Sequence, residues 1–158
     1  MVPPPDPPHG NIDAKLASLL HDHLLQNHVA GQVHHPREAI YIEAVAGTYL
    51  EPDMMYVSKA MAAHMGDKRT SADIVFEYSS KSTATYDQTT KADTYLALGV
   101  RELWLIDFDN IFIEVRNARL HERRPVWEIR RYGSGESAES EVLKGWLVSV
   151  DELFEGLV

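Results

Sequence analysis

One stretch limits the fold of this chain more than any other: Ala72–Asp107, ADIVFEYSSKSTATYDQTTKADTYLALGVRELWLID. Its residue order reads as strand, polar turn, helix, short glycine turn, strand. Ala72–Tyr78 is rich in β-formers and places Asp73, Val75 and Glu77 on one face, with Ile74, Phe76 and Tyr78 on the other. Thr83–Leu98 carries Asp87, Lys91 and Tyr95 at four-residue steps, close to one helix face. Gly99 suits the residue that ends this helix, and Leu103–Ile106 follows as a buried strand running into Asp107. Two strands joined through a helix lie parallel with a right-handed crossover, so the segment predicts an α/β fold: a mixed sheet with helices packed on it.

The rest of the chain supplies the partners of that unit. Met1–Gly10 holds five prolines and is expected to be an extended lead-in, with a single domain over 11–158. Asn11 is a candidate cap for a helix over Ile12–Asn27, whose stripe of Ile12, Leu16, Leu19, Leu20 and Leu24 needs one buried face. Glu38–Ala46 and Tyr49–Ser58 read as two strands of a hairpin, with Pro52 at a strand start or edge and Asp53 sharing a face with Met55 and Val57. Lys59–Met65 suggests a short helix. Beyond Asp107, Ile111–Arg116, Val126–Tyr132 and Glu141–Val148 form an antiparallel carboxyl-terminal extension, and Asp151 is a candidate cap for a last turn through Phe154.

Composition excludes several classes of function. At 158 residues, a single domain has enough chain for a hydrophobic core, and with no cysteine there is no disulfide framework, zinc–thiolate site or thiol nucleophile. No apolar run approaches the roughly 18 residues of a membrane helix. The first ten residues lack the regions of a signal peptide, which makes a cytoplasmic location the default expectation. A net charge of −9 argues against a protein that coats nucleic acid non-specifically, since phosphate neutralisation drives that binding. The histidines His21 and His23 lie two apart on their helix and do not face together, so their spacing gives no metal site.

Asp53 and Glu77 each interrupt an apolar strand, where an unpaired charge is costly. Either they are solvated at strand ends, or they converge with a cation. Carboxylates from neighbouring strands suit a hard divalent ion such as Mg²⁺, and Lys91 is the candidate ammonium beside them.

Pro52-Asp53, then Ala72-Asp73 leading to Glu77 and Ser79, then Asp87, Lys91 and Tyr95, then Gly99-Val100 through Trp104 to Asp107, resemble the Uma family of restriction-endonuclease-like proteins. That family lies in the PD-(D/E)XK nuclease superfamily, and these elements span about a third of the chain. The resemblance implies a restriction-endonuclease-like mixed sheet flanked by helices and a Mg²⁺-dependent endonuclease acting on DNA, with Mn²⁺ as the other candidate ion. Asp53 corresponds to the aspartate of the PD motif and Glu77 to the acidic residue of the second half-motif, both as metal ligands and catalytic residues. Ser79 stands where the superfamily has lysine, and Lys91 on the following helix takes that role, with Lys81 as a weaker alternative. Asp73, Ser79, Asp87 and His9 are auxiliary candidates. Relatives begin with a segment that brings a further acidic residue, where this chain has its proline-rich leader. An inactive member acting in nucleic-acid binding or assembly is the alternative.

A basic track is present. Arg116, Arg119, Arg123, Arg124, Arg130 and Arg131 fall within sixteen residues, interleaved with Glu114, Glu122 and Glu128. Arginine forks suit phosphates, while pairing with those glutamates is the competing expectation. Trp104 and Trp127 are read as core or interface residues rather than base-stacking platforms, and Ser134 in its hairpin turn does not have the setting of a nucleophile. Cutting both strands of a duplex needs two sites, which favours a homodimer.

Overall fold

A computed structural model describes residues 7–35, 38–42, 47–79 and 85–156; at residues 7–10 and 85–88 it describes the backbone alone. The elements in chain order are α1 (Pro7–Gln26), β1 (Gly31–His34), β2 (Ile40–Tyr41), β3 (Tyr49–Leu50), β4 (Met54–Ser58), α2 (Lys59–Met65) and β5 (Ile74–Ser79). There follow α3 (Thr85–Ala97), β6 (Glu102–Asp107), β7 (Phe112–His121), β8 (Arg124–Tyr132), β9 (Ser137–Glu139), β10 (Leu147–Ser149) and α4 (Val150–Phe154).

Six strands form one mixed sheet in the order β1-β4-β5-β6-β7-β8. β5 and β6 run parallel, Ile74 opposite Glu102 through Ser79 opposite Asp107, as the strand–helix–strand pattern requires. The other neighbours in this sheet are antiparallel. Alternation along β5 separates two cores. Phe76 and Tyr78, with Trp104, Ile106 and Val115, meet Ile12, Leu16, Leu20 and Leu24 of α1 and Trp146, Leu153 and Phe154 near the carboxyl end. On the other face Met55, Val75, Leu103 and Leu105 are covered by Ala92 and Tyr95 of α3. Each fully buried leucine or isoleucine contributes roughly 2 kcal/mol, so the α1 stripe is what holds that helix down.

The structure departs from the expectations at several places, each with a local reason. α1 begins at Pro7 rather than after Asn11, since proline in a first helical turn sacrifices only donors that have no partner there. Tyr49–Ser58 is not one strand. It breaks at Pro52 into β3, which pairs with β2 in a separate two-stranded sheet, and β4, which enters the main sheet. The antiparallel partner of β4 on its outer side is β1, a four-residue strand whose GQVH sequence carries almost no β signal. There Gly31 lies so close to the Tyr56 ring that an added Cβ would stand 2.5 Å from it. At the other end, Ser149 rather than Asp151 caps α4, accepting the Glu152 N–H at 3.2 Å. Asp151 instead accepts from Ser134 Oγ at 2.8 Å and Gly135 N at 2.9 Å, tying down the 133–136 turn.

Candidate active site

The β4–β5 register brings Asp53 and Glu77 together. Met54 is opposite Phe76 in an antiparallel pair, so the residue before Met54 falls beside the residue after Phe76. Tyr78 N–H donates to Asp53 Oδ2 at 2.8 Å, which fixes that carboxylate at the mouth of β5. Glu77 is buried and accepts the Tyr95 hydroxyl on Oε1. Tyr95 and Lys91 lie one turn apart on α3, and Lys91 acts electrostatically on Glu77.

Burial pushes Glu77 up to about 8, and the neighbouring Asp53 charge pushes the same way. The two carboxyl groups lie within hydrogen-bonding reach, and that bond also favours the protonated Glu77, while Lys91 and the Tyr95 hydroxyl oppose the shift. When Glu77 ionises, two carboxylates stand against one ammonium, an excess of negative charge carried by oxygen atoms. That donor set fits a hard divalent cation. Among the described residues no group of three or more His, Asp or Glu side chains is placed to hold a metal; Asp53 and Glu77 are the two acids that the β4–β5 register brings together.

The other candidates divide. Ser79 is buried two residues beyond Glu77 on the same face and lines a cleft of about 550 Å³ with Thr89, Asp107, Phe112, Arg116 and Arg131. Asp73 shares the face of Glu77 but lies four residues away, about 13 Å along the strand. Its carboxylate accepts from Ser58 N–H at 2.6 Å and pairs with Arg101 at 3.1 Å, which joins β4, β5 and the start of β6. Lys81 falls outside the described residues, as do the side chains of Asp87 and His9.

The arginine track splits by strand alternation. Arg116 and Arg131 turn to the Glu77 face and bracket the buried Glu114, Arg116 with Nε at 2.8 Å and Nη2 at 2.7 Å and Arg131 with Nη2 at 2.9 Å. Arg119 and Arg130 turn to the opposite face. Arg119 meets Glu128 at 3.0 Å and Glu141 at 2.6 Å, and Arg130 meets Glu128 at 3.4 Å. Arg123 and Arg124 stand exposed at the β7–β8 turn, where Glu122 and Arg123 adopt φ of 49° and 65°, the left-handed pair of a two-residue hairpin loop. Trp104 is in the core, and Trp127 donates to the Ala92 carbonyl of α3 at 3.0 Å.

Sequence reasoning missed two acids. Asp13, from α1, accepts the Tyr78 hydroxyl at 2.6 Å and stands 3.8 Å from His35, so the first helix does bring a carboxylate to this end of the sheet. Burial and the Asp13 charge raise the Tyr78 pKa, keeping the phenol a donor. Glu102 is fully buried, where it accepts from Trp104 Nε1, Asn117 Nδ2, Ser140 Oγ and the Glu141 and Val142 N–H groups at 2.7–3.1 Å. A charge between Arg101 and an apolar strand was the only signal for it.

Residues 1–157 match the family Uma2, described as "Putative restriction endonuclease". The chain belongs to the Uma2 family. Among solved structures, it resembles one from Anabaena variabilis, described as a putative nuclease belonging to DUF820. Identity is 15%, the match covers 99% of this chain and 85% of the other, and the TM-score is 0.76. At that identity the likeness speaks for the fold, the mixed sheet with helices that the Ala72–Asp107 pattern predicts and that the family resemblance implies is restriction-endonuclease-like. Nothing among curated proteins matches. The Uma2 family and this fold together support a nuclease function. No described helix is long and apolar enough to cross a membrane.

Proposed function

We propose that this Uma2 protein is a Mg²⁺-dependent endonuclease that hydrolyses DNA phosphodiester bonds, with Mn²⁺ as an alternative ion. The observation that carries this reading is the pairing of buried Glu77 with half-buried Asp53 near Lys91, an arrangement that is costly with both acids ionised unless a cation completes it. Asp53 and Glu77 would hold the ion, which when bound would lower the pKa of water and neutralise charge on a phosphoryl group. Tyr78 N–H and the Tyr95 hydroxyl aim the two carboxylates. Lys91 contributes a preorganised positive charge for the negative charge that builds on the phosphate as water attacks. Ser79, in the position where the superfamily carries lysine, leaves that duty to α3.

The test is cleavage of single-stranded, double-stranded and branched DNA with Mg²⁺, Mn²⁺ or chelator, for wild type and Glu77→Ala in parallel. Metal-dependent cutting that disappears in the variant supports this centre. Cutting that survives it places the chemistry elsewhere, and no cutting by wild type turns the reading to the alternative below. The protein is proposed to work in the cytoplasm and as a homodimer, so that two centres address two strands.

A second reading is a nuclease-fold protein without catalysis, acting in nucleic-acid binding or assembly. Ser79 favours it, as does the absence of a three-ligand cluster among the described residues.

A further inference from the structure

The cleft beside the carboxylate pair has a composition that catalysis by Asp53, Glu77 and Lys91 does not explain. Across the sheet, the register places Glu77 opposite Leu105, Leu105 opposite Glu114 and Glu114 opposite Arg131. Glu77 and Glu114 are therefore two interstrand spacings apart, about 10 Å. Leu105 and Ser79 line the cleft, so it opens directly from the catalytic row. Its far wall is Arg116 and Arg131, and the Arg131 guanidinium lies 4.0 Å over the Phe112 ring.

We infer that this cleft seats one unpaired nucleotide of a nucleic-acid strand, with its phosphate on Arg116 and Arg131 and its base on the Arg131–Phe112 stack. The identity of the ligand rests on the nuclease reading; the site itself rests on the geometry. Two guanidinium groups and two carboxylates, Glu114 and Asp107, line the cleft; Asp107 is engaged by Asp109 N–H, Asn110 N–H and Asn110 Nδ2, so the donors left for a ligand in this wall are those of the arginines. Glu114 occupies Arg116 Nε and Nη2 and Arg131 Nη2, and a guanidinium has five N–H donors, so each arginine is held in place with donors to spare. A flat guanidinium stacked on an aromatic ring presents a second flat face on which any base can stack without sequence preference.

Size and the placement of guanidinium donors select the strand state. At about 550 Å³ the cleft lies in the range of small-ligand pockets, roughly one nucleotide, whereas a base held in a duplex stays stacked on its neighbours outside it. Duplex binding draws its affinity from many phosphate contacts along a basic track. Here Arg119 and Arg130 point to the opposite face and are neutralised by Glu128 and Glu141, in a chain of net charge −9. Spare guanidinium donors are thus gathered at the cleft rather than spread along a duplex-sized path.

The experiment is fluorescence anisotropy with chelator present, so that no strand is cut. The probes are a labelled eight-nucleotide oligothymidylate, the same strand paired with its complement, and unlabelled thymidine monophosphate as competitor. The proteins are wild type, Arg131→Gln, Arg131→Lys and the hairpin-tip control Arg123→Gln/Arg124→Gln, each checked for folding by circular dichroism and melting. The expected result is single-strand binding at least about tenfold tighter than duplex binding, a loss of about tenfold or more in Arg131→Gln, and a change below about twofold in the tip control. Arg131→Lys keeps the charge but not the flat fork, and it is expected to recover only part of the loss. It carries the test if Arg131→Gln does not fold. Equal binding of duplex, indifference to both Arg131 substitutions, absence of binding, or failure of the mononucleotide to compete even in large excess each overturns the inference. The two readings fail separately. Arg131-dependent single-strand binding without metal-dependent cutting removes the nuclease and keeps the cleft. Metal-dependent cutting indifferent to Arg131 and to strand state does the reverse.

Discussion

Glu77→Gln should stabilise the metal-free protein at alkaline pH. In the fold Glu77 is held protonated up to about 8, against 4.5 for an ordinary glutamate. Between those values the folded chain keeps a proton that the unfolded chain releases, so stability falls as pH rises. The contribution is fully present below about pH 4.5 and is lost as pH climbs through about 8. Each pH unit in that window is worth about 1.4 kcal/mol, so the whole span approaches an upper limit of about 5 kcal/mol. That is a large share of the 5–15 kcal/mol typical of a domain. Glutamine is nearly isosteric with the protonated acid: its carbonyl accepts the Tyr95 hydroxyl and its amide donates to Asp53. The assay is urea unfolding from pH 5 to 8.5 in chelator, wild type against variant. Wild type minus variant should start near zero and decline by roughly 1 kcal/mol or more per pH unit, the histidines cancelling in the difference. Saturating Mg²⁺ should flatten the wild-type curve and leave the variant unmoved. Parallel curves in chelator would refute the reasoning, because a buried acid paired with Asp53 cannot be silent to pH.

Four further outcomes follow from the same contacts. Asp53→Asn removes one of the charges that hold Glu77 protonated, so the decline in stability should be smaller and level off at lower pH, and metal-dependent cleavage should vanish in the same preparation. Tyr95→Phe removes a donor that favours the ionised Glu77. The acid should titrate higher, seen as an alkaline shift of the pH–rate profile, with a stability loss of about 1 kcal/mol by urea unfolding. Lys91→Gln should lower the cleavage rate by about a hundredfold or more while leaving the melting temperature within a few degrees. Glu102→Ala strands five donors in the core and should cost about 3–5 kcal/mol, read as a loss of urea midpoint, with metal binding at Asp53 and Glu77 unchanged in the folded fraction.

The fold was legible where one periodicity governs. β5, α3 and β6 follow from alternation, a four-residue stripe and Gly99, and their order dictates a parallel pair. Asp53, Glu77 and Lys91 stood out because charges inside apolar runs are rare, and the β4–β5 register brings the first two together. β1 could not be read, because GQVH becomes a strand through its pairing with β4 rather than through its own residues. Asp13 was hidden for a related reason. On an amphipathic helix an acid is unremarkable, and only the packing of α1 over Tyr78 gives it a partner. The arginines were visible but not their directions. Strand alternation sends Arg116 and Arg131 one way and Arg119 and Arg130 the other, and the glutamates that meet them come from both hairpin strands and from residue 141.

The seating of α1 has a consequence for how the chain is made. Lys15 donates to the carbonyls of Glu152 and Glu155 at 3.3 and 2.7 Å, and the α1 stripe shares its core with Trp146, Leu153 and Phe154. On a ribosome these partners emerge more than a hundred residues after the helix they cover. At common elongation rates of about 5–20 residues per second, the leucines of α1 wait for about 7–30 s without their final neighbours. During that interval the newborn helix is a sticky amphipathic segment that hydrophobic-binding chaperones can hold, and the yield of folded protein should depend on how fast the ribosome reaches residue 154.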